Sequence, residues 1–162
     1  MIDIDNLDRK ILGIITNNAR MPFKEVADEC GVSRAAIHQR VQHMISNGII
    51  TGSGYFVDEK KLGYKICVYV GITLEKASKY KDVVAKLEQI PEIVETQYTL
   101  GPYGILVKLY ACDTEHLMNI LNGQIQEIDG VTGTETLISL EQRILRPVPP
   151  IEMEKLRCAM NA

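Results

Sequence analysis

The first fifty positions of the chain repeat their apolar residues three and four apart, which predicts three short helices. The first helix covers residues 4–18, where Asp5 or Asn6 can act as the N-cap. The second begins at Phe23, and the third covers residues 33–47. The apolar stripe of the third helix consists of Ile37, Val41, Met44 and Ile45.

A tight turn joins the second and third helices. Gly31 can adopt the positive φ that ends a helix, and the Ser33 hydroxyl can accept an amide hydrogen bond at the start of the next one. A helix, a glycine turn and a capped helix are typical of a helix-turn-helix, whose second helix enters the DNA major groove. The alternative is an ordinary helical hairpin within a core.

The period of the pattern changes after Gly48. Residues 49–57 are β-branched and aromatic with interleaved glycines, which predicts a short strand or ribbon that leaves the helices and can act as a hinge. The charged residues 58–61 then form an exposed connection. We therefore expect a domain boundary near this segment.

From Lys65 onward the pattern reads strand, helix, strand, strand, helix, strand. Pro91 ends the first helix, Asp113 caps the second, and Gly130 closes it. The predicted strands are residues 66–74, 93–100, 105–111 and 131–140. Two interleaved βαβ halves predict a ferredoxin-like α+β domain, with both helices on one face of a four-stranded antiparallel sheet.

The other face of this sheet needs cover. On the first strand it carries Cys67, Tyr69, Gly71 and Thr73, which are only half polar. A second copy of the chain is the economical cover, so we expect at least a dimer.

The predicted organisation has three parts. Residues 1–60 form a winged-type helix-turn-helix domain with its linker strand, and residues 61–146 form the ferredoxin-like domain. Prolines at 147, 149 and 150 break regular structure in a tail of residues 147–162. Residues 151–162 either form one short helix or stay disordered.

Charge is distributed unevenly along the chain. The 162 residues carry a net charge of −3 and 21 acids, so the protein as a whole is no general polyanion binder. Residues 30–57 nevertheless contain no acid, and they include Arg34, His38, Arg40 and His43. An acid-free surface can approach phosphates without repulsion, which favours local binding to double-stranded DNA.

Composition and motif content argue against several other classes of protein. The four cysteines are widely spaced and form no C-x-x-C motif, which argues against a zinc site and for a reducing compartment. The acidic start resembles no signal peptide, and no apolar run reaches membrane-spanning length. We expect a cytoplasmic protein without membrane association, metal or other cofactor. No nucleophile elbow or P-loop appears, so we expect no enzyme activity.

Taken together in order, these motifs resemble the Lrp/AsnC family of transcription regulators over about residues 3–146. The residues that carry the resemblance are Leu7-Asp8, Ile11-Leu12, Asn18-Ala19-Arg20, Ala27, Gly31-Val32-Ser33, Arg40-Val41, Gly48-Ile49-Ile50, Gly101, Tyr103, Gly130-Val131, Thr134 and Thr136. The resemblance implies that the second domain binds small effectors, usually amino acids, at subunit contacts. It also implies dimers that assemble further, often to an octamer built as a tetramer of dimers.

The predicted recognition helix divides its polar residues between two roles. Candidates for reading bases are Arg34, Ala35, Ala36 and Gln39, which lie early in the helix and away from the core stripe. Candidates for phosphate contacts are Ser33, His38, Arg40 and His43. For Arg40 the alternative is an intramolecular ion pair at the edge of the domain.

The predicted effector site combines a turn with a strand: Gly101, Pro102, Tyr103, Gly104, Thr134, Glu135 and Thr136. Amides and hydroxyls can hold a carboxylate. Many relatives carry acids in this turn, as G-D-[FY]-[DN], whereas this chain has Pro102 and Gly104. The ammonium of an amino acid must therefore find Glu135, Glu95 or a backbone carbonyl. The alternative is a hairpin turn without a ligand.

Two other functions compete with this prediction. One is an architectural DNA-binding protein without an effector. The other is a metabolite-sensing module whose helical domain docks a protein. Salt-dependent binding to duplex DNA separates the DNA-binding hypotheses from the protein-docking one.

Overall fold

The computed structural model describes residues 4–150 and divides the chain into two compact units. The first unit, called the head below, comprises Met1–Phe56 and Ile144–Ala162, and the second comprises Val57–Arg143. The alternatives predicted for residues 151–162, and the thiol of Cys158, lie outside the described residues.

The head contains three helices: α1 at Asn6–Ile15, α2 at Phe23–Cys30 and α3 at Arg34–Ser46. Their core consists of Ile11, Val26, Ala27, Ile37, Val41 and Met44. The three-helix prediction is confirmed, but Ile45 is 45% exposed and does not belong to the buried stripe. One residue beyond Met44 turns a side chain by about 100°, which carries Ile45 away from the core.

The turn of the predicted helix-turn-helix forms as its residues indicate. Gly31 adopts a φ of 70°, and the amide of Val32 donates to the carbonyl of Ala27 at 3.1 Å. The hydroxyl of Ser33 accepts from the amide of Ala36 at 3.1 Å, which caps α3. The positive φ of Gly31 and the Ser33 cap were both predicted from residue type and position, and both are confirmed.

A charged contact joins α1 to α3. Arg40 Nη1 donates to Asp5 Oδ2 at 2.6 Å and to Asp8 Oδ1 at 2.9 Å. Asp5 also caps α1 in a reciprocal capping box with Asp8, which is 8% exposed. The structure therefore shows the ion pair that the sequence offered as the alternative for Arg40, with two carboxylates bound to its Nη1.

The ribbon predicted for residues 49–57 does not form within the described chain. Residues 51–57 have no strand assignment and no backbone hydrogen bond to a neighbouring strand. A strand requires a hydrogen-bonded partner, and β-branched composition cannot supply one. Tyr55, Phe56 and Val57 are consequently exposed.

The second unit contains one four-stranded antiparallel sheet. Its strands are β1 at Ile66–Leu74, β2 at Ile93–Tyr98, β3 at Ile105–Ala111 and β4 at Val131–Ser139, in the order β2-β3-β1-β4. The helices are α4 at Tyr80–Leu87, after a 3-10 turn at Ala77–Lys79, and α5 at Thr114–Ile120, which continues as a π-helical segment at Leu121–Ile125. The ferredoxin-like βαββαβ prediction is confirmed, with Asp113 as N-cap of α5.

The helices cover one face of this sheet. Val68, Val70 and Ile72 of β1 are fully buried in the core, together with the alternate residues Ile105, Val107 and Leu109 of β3. On β4, Thr134 pairs with Ile72 and Thr136 pairs with Val70. Directly paired residues share a face, so both threonines lie on the helix side.

We call the other side of the sheet the open face. By strand register it carries Cys67, Tyr69, Gly71 and Thr73 of β1, Leu106, Lys108 and Tyr110 of β3, Glu95 and Gln97 of β2, and Gly133, Glu135, Leu137 and Ser139 of β4. Lys108 Nζ lies 5.9 Å and 5.3 Å from the ring centres of Tyr69 and Tyr110. The face mixes apolar, aromatic and charged groups, and no layer of the second unit covers it.

Tyr103 leaves the turn between β2 and β3 and lies across β1 at Gly71. A Cβ atom at Gly71 would meet three ring atoms of Tyr103 at 2.5–2.7 Å, which is closer than real contacts allow. The phenol of Tyr103 then donates to Glu135 Oε2 on β4. The Tyr103 ring therefore packs directly on the backbone of Gly71, which is possible because glycine has no side chain.

The first prediction concerns the pH dependence of the head. The pKa of Asp5 is lowered because the amide of Asp8 and the guanidinium of Arg40 donate to its carboxylate. Its stabilising contribution is complete above the unfolded pKa of about 3.9 and disappears as the pH falls through the lower folded pKa. Asp5→Asn keeps a cap acceptor without the charge. We expect the stability difference between wild type and Asp5→Asn to shrink below about pH 4, measured by urea unfolding.

Asp28→Asn is the matched control, because Asp28 is exposed on α2 and forms no ion pair among residues 4–150. An equal change in both variants across this pH range would contradict the role assigned to Asp5.

The second prediction concerns Gly71. Gly71→Ala should lower the free energy of unfolding by about 1–3 kcal/mol, because the new methyl group displaces the Tyr103 ring. Gly133→Ala is the matched control on the same face, since a Cβ there meets nothing within 4 Å. Thermal and urea unfolding measure both variants. Equal stability of the two would contradict the close packing of Tyr103 on Gly71.

Candidate nucleic-acid interface and effector site

Helix α3 presents its polar residues opposite its core. Arg34, Ala35 and Gln39 are exposed and Ala36 is half-buried, whereas Ile37 and Val41 are buried. Arg34 forms no ion pair with any described residue. The four predicted base-reading residues therefore lie on an accessible surface that carries positive charge and no acid.

The remaining polar residues of α3 differ in their engagement. The oxygen of Ser33 is the N-cap acceptor, and its hydroxyl proton remains available to donate. His38 is exposed and packs edge-on against Phe23, with ring centres 6.1 Å apart. His43 lies in the last turn, where the side-chain amide of Asn47 is within hydrogen-bond distance of its ring. Arg40 is occupied by Asp5 and Asp8.

Two further cations of the head were not predicted as site residues. Arg20 lies in the loop before α2, and Lys24 lies in the first turn of α2. Both are exposed, and neither forms an ion pair within residues 4–150. In a helix-turn-helix the helix before the recognition helix crosses the DNA backbone, so the start of α2 is where the sequence could have indicated them.

Some backbone groups of the predicted effector turn already form hydrogen bonds within the second unit. The amide of Gly104 donates to the carbonyl of Ile72 at 3.0 Å, and the hydroxyl of Thr99 donates to the carbonyl of Tyr103 at 2.7 Å. Pro102 has no amide hydrogen. Among the described residues, the amides of Gly101 and Tyr103 have no protein acceptor.

Glu135 is the carboxylate nearest to this turn in the hydrogen-bond network. It accepts from the phenol of Tyr103, and this bond raises the pKa of Tyr103, because the carboxylate stabilises the protonated phenol. Glu95, the other predicted ammonium partner, lies on β2 opposite Lys108 and accepts from Gln97 Nε2 at 3.1 Å. Glu135 is therefore the carboxylate that contacts the turn.

Thr134 and Thr136 do not join the turn within one chain. Both lie on the helix side of β4, where Thr134 Oγ1 accepts from Gln126 Nε2 at 2.8 Å. Successive residues of a strand point to opposite faces, so Glu135 alone of this trio lies on the open face. Gly71 was missed as part of this site, although a glycine inside a strand is a signal of close approach.

The described part of the chain offers neither a metal-binding cluster nor a membrane-spanning helix. Residues 4–150 contain no group of three or more histidine, cysteine, aspartate or glutamate side chains placed to hold a metal ion. No helix among them is both long and apolar enough to cross a membrane.

Comparison with known families gives matches to both units. Residues 4–51 match the winged helix-turn-helix DNA-binding family, and residues 67–149 match the Lrp/AsnC ligand binding domain. The regulatory protein AsnC of Haemophilus influenzae is 45% identical over 150 residues, covering 93% of this chain and 100% of that protein.

Comparison with solved structures agrees with these family matches. The structure of Escherichia coli AsnC has a TM-score of 0.86 and 42% identity, and the match covers 92% of this chain and 100% of that chain. A transcriptional regulator from Neisseria meningitidis, solved as a complex with L-methionine, has a TM-score of 0.85 and 16% identity, covering 95% of this chain and 99% of that chain. The second likeness shows the fold alone. With both units matched in order, the chain belongs to the Lrp/AsnC family and is a DNA-binding transcription regulator, in a family of regulators rather than enzymes.

Proposed function

We propose that this protein reads a specific DNA sequence through α3 and senses an amino acid or related small metabolite through its second unit. The observation that carries the DNA assignment is the exposed surface of α3, on which Arg34 and Gln39 have no carboxylate partner among residues 4–150. Residues 1–60 supply the DNA-binding domain in this proposal. Residues 61–146 supply effector binding and oligomerisation, with residues 147–162 as a tail.

The chemistry of α3 suits base readout in the major groove. Arg34 can donate two hydrogen bonds to guanine O6 and N7, and Gln39 can exchange two with adenine N6 and N7. The small side chains of Ala35 and Ala36 allow close approach and contact with thymine methyl groups. Ser33, His38 and His43 are the proposed phosphate contacts on the same helix.

The chemistry of the turn suits a free amino acid. The unused amides of Gly101 and Tyr103 can donate to a carboxylate, and Glu135 can accept from an ammonium group. Glu135 is held by the phenol of Tyr103, so an incoming ammonium would compete with that hydrogen bond. The match of residues 67–149 to the Lrp/AsnC ligand binding domain supports ligand binding by this unit. Pro102 and Gly104 shape the turn but supply no charge.

Thr134 and Thr136 enter this proposal only through a subunit contact. They occupy the helix side of β4 while Tyr103 and Glu135 occupy the open face. Both groups can reach one ligand only where a second copy brings its own strand or turn alongside. The proposed site therefore lies at a subunit interface and is incomplete in one chain.

We infer that two copies pair through the open face. Leu137 is 56% exposed there, and Tyr69, Leu106 and Tyr110 add apolar area that no layer of the unit covers. Burial of this area favours association, and the family resemblance favours further assembly to an octamer. Light scattering that shows a monomer at micromolar concentration would contradict this inference.

The effector must change DNA binding through assembly or conformation. A ligand shifts an equilibrium only by its differential affinity for the two states, and such coupling is typically about 1–3 kcal/mol. If the protein binds duplex DNA but binds no amino acid, the architectural alternative is favoured. Absence of salt-dependent duplex binding would favour the protein-docking alternative.

The third prediction concerns base readout. Arg34→Ala and Gln39→Ala should each reduce discrimination between the preferred site and single-base variants by about 1–3 kcal/mol, because each removes a bidentate base contact. Selection of bound genomic fragments defines the site, and fluorescence anisotropy measures affinity. Arg143→Ala is the control, because Arg143 belongs to the second unit and pairs with Glu141. Unchanged discrimination in both α3 variants would contradict the assignment.

The fourth prediction concerns the effector. Calorimetry against the twenty amino acids at millimolar concentration should identify a ligand. Glu135→Gln should weaken it by about tenfold or more, because the charged partner of the ammonium is lost. Tyr103→Phe should strengthen it or leave it unchanged, because the competing phenol is removed.

Thr134→Val and Thr136→Val test the helix side of the same site. A ligand whose affinity responds to neither Glu135→Gln nor these two variants would bind elsewhere. Asp129→Asn is the charge control, since Asp129 is an exposed acid of the same unit that pairs with Lys79.

A further inference from the structure

Arg20 is held in a geometry that the proposed function does not use. Its guanidinium carbon lies 4.2 Å from the centre of the Tyr55 ring, within cation–π distance. Its backbone amide donates to Asn18 Oδ1 at 3.1 Å, which orders the loop at this point. No carboxylate within residues 4–150 forms an ion pair with Arg20, in contrast to Arg40.

Tyr55 has no core to join. Its side chain is 76% exposed. It follows Gly52 and Gly54 in the chain and precedes the exposed Phe56. A Cβ atom at either glycine would meet nothing within 4 Å, so this backbone runs through open space. Among the contacts of residues 4–150, the cation–π contact with Arg20 therefore links the Tyr55 ring to the loop before α2.

A stacked arginine keeps its hydrogen-bonding edge. When a guanidinium lies parallel to an aromatic ring, the ring covers one flat side, and the N–H groups in the guanidinium plane stay free for a bidentate acceptor. Stacking also orients the side chain before binding, so fewer rotamers are lost when a partner arrives. A cation prepared in this way, in an acid-free loop, suits a phosphate oxygen pair.

We propose that Arg20, stacked on Tyr55, is a DNA phosphate contact outside the recognition helix, with Tyr55 as its positioning residue. The inference rests on the proposed DNA-binding function. Its location supports the assignment, because the loop that carries Arg20 leads directly into α2, and the helix before the recognition helix crosses the DNA backbone. The pair adds a backbone contact that carries no sequence information.

The test measures duplex affinity across a series of salt concentrations with a labelled DNA that contains the selected site. Arg20→Ala should bind several-fold more weakly to all sequences and lower the salt slope by about 0.9 for each head engaged. Tyr55→Ala should weaken binding, whereas Tyr55→Phe should match wild type because the ring is kept. Arg143→Ala is the control with the same charge change in the second unit.

A double-mutant cycle tests the positioning role. If Tyr55 acts through Arg20, Tyr55→Ala should cost nothing further in an Arg20→Ala background. Circular dichroism confirms that each variant folds, and Arg20→Gln, which carries the same expectations, replaces Arg20→Ala if that variant does not.

Two results would overturn the inference alone: a salt slope of Arg20→Ala equal to that of Arg143→Ala, or a Tyr55→Ala effect that persists in full without Arg20. Absence of duplex binding by the wild type would overturn the proposed function and this inference with it. Suppose that the wild type binds duplex DNA and Arg34→Ala reduces its sequence preference, while Arg20→Ala changes nothing. The proposed function then stands, and only the inference about Arg20 fails.

Discussion

Successive side chains of a β-strand point to opposite faces, and the organisation of the second unit depends on that alternation. On β1 it sends Val68, Val70 and Ile72 into the helix-covered core and leaves Tyr69 and Gly71 on the open face. On β4 it separates Glu135 from its neighbours on either side. The uncovered face and the split of the predicted effector residues between two faces both follow from this one constraint.

Gly71 shows how the absence of a side chain can build a site. Because no Cβ stands above this backbone, the ring of Tyr103 can lie on the sheet and bring its phenol to Glu135. The carboxylate that best suits an ammonium is thereby occupied within the chain. In the proposed effector site, the ammonium group of a ligand competes with this phenol for Glu135, so binding strength depends on the difference between the two donors.

Three arginines of the head differ in what they contact. Arg40 ties α3 to the start of α1, where Asp8 is nearly buried and requires a charged partner. Arg34 is exposed on α3 and forms no ion pair with any residue that the structure describes, and Arg20 lies over the exposed ring of Tyr55. Residue type alone does not separate these three arginines. The neighbours of each one decide whether it stabilises the fold or is available to phosphate.

Local sequence determined much of this protein. Apolar spacing located the helices, Gly31 and Ser33 defined the turn between α2 and α3, and the order of strands and helices defined the βαββαβ domain, because these features depend on nearby residues. Tertiary structure alone decided which carboxylates meet Arg40, that residues 51–57 pair with no strand in the described part of the chain, and that Tyr103 reaches Glu135 while Thr134 faces the helices. These outcomes join residues that are 32 or more positions apart or depend on strand register, and contacts of that range are set by packing.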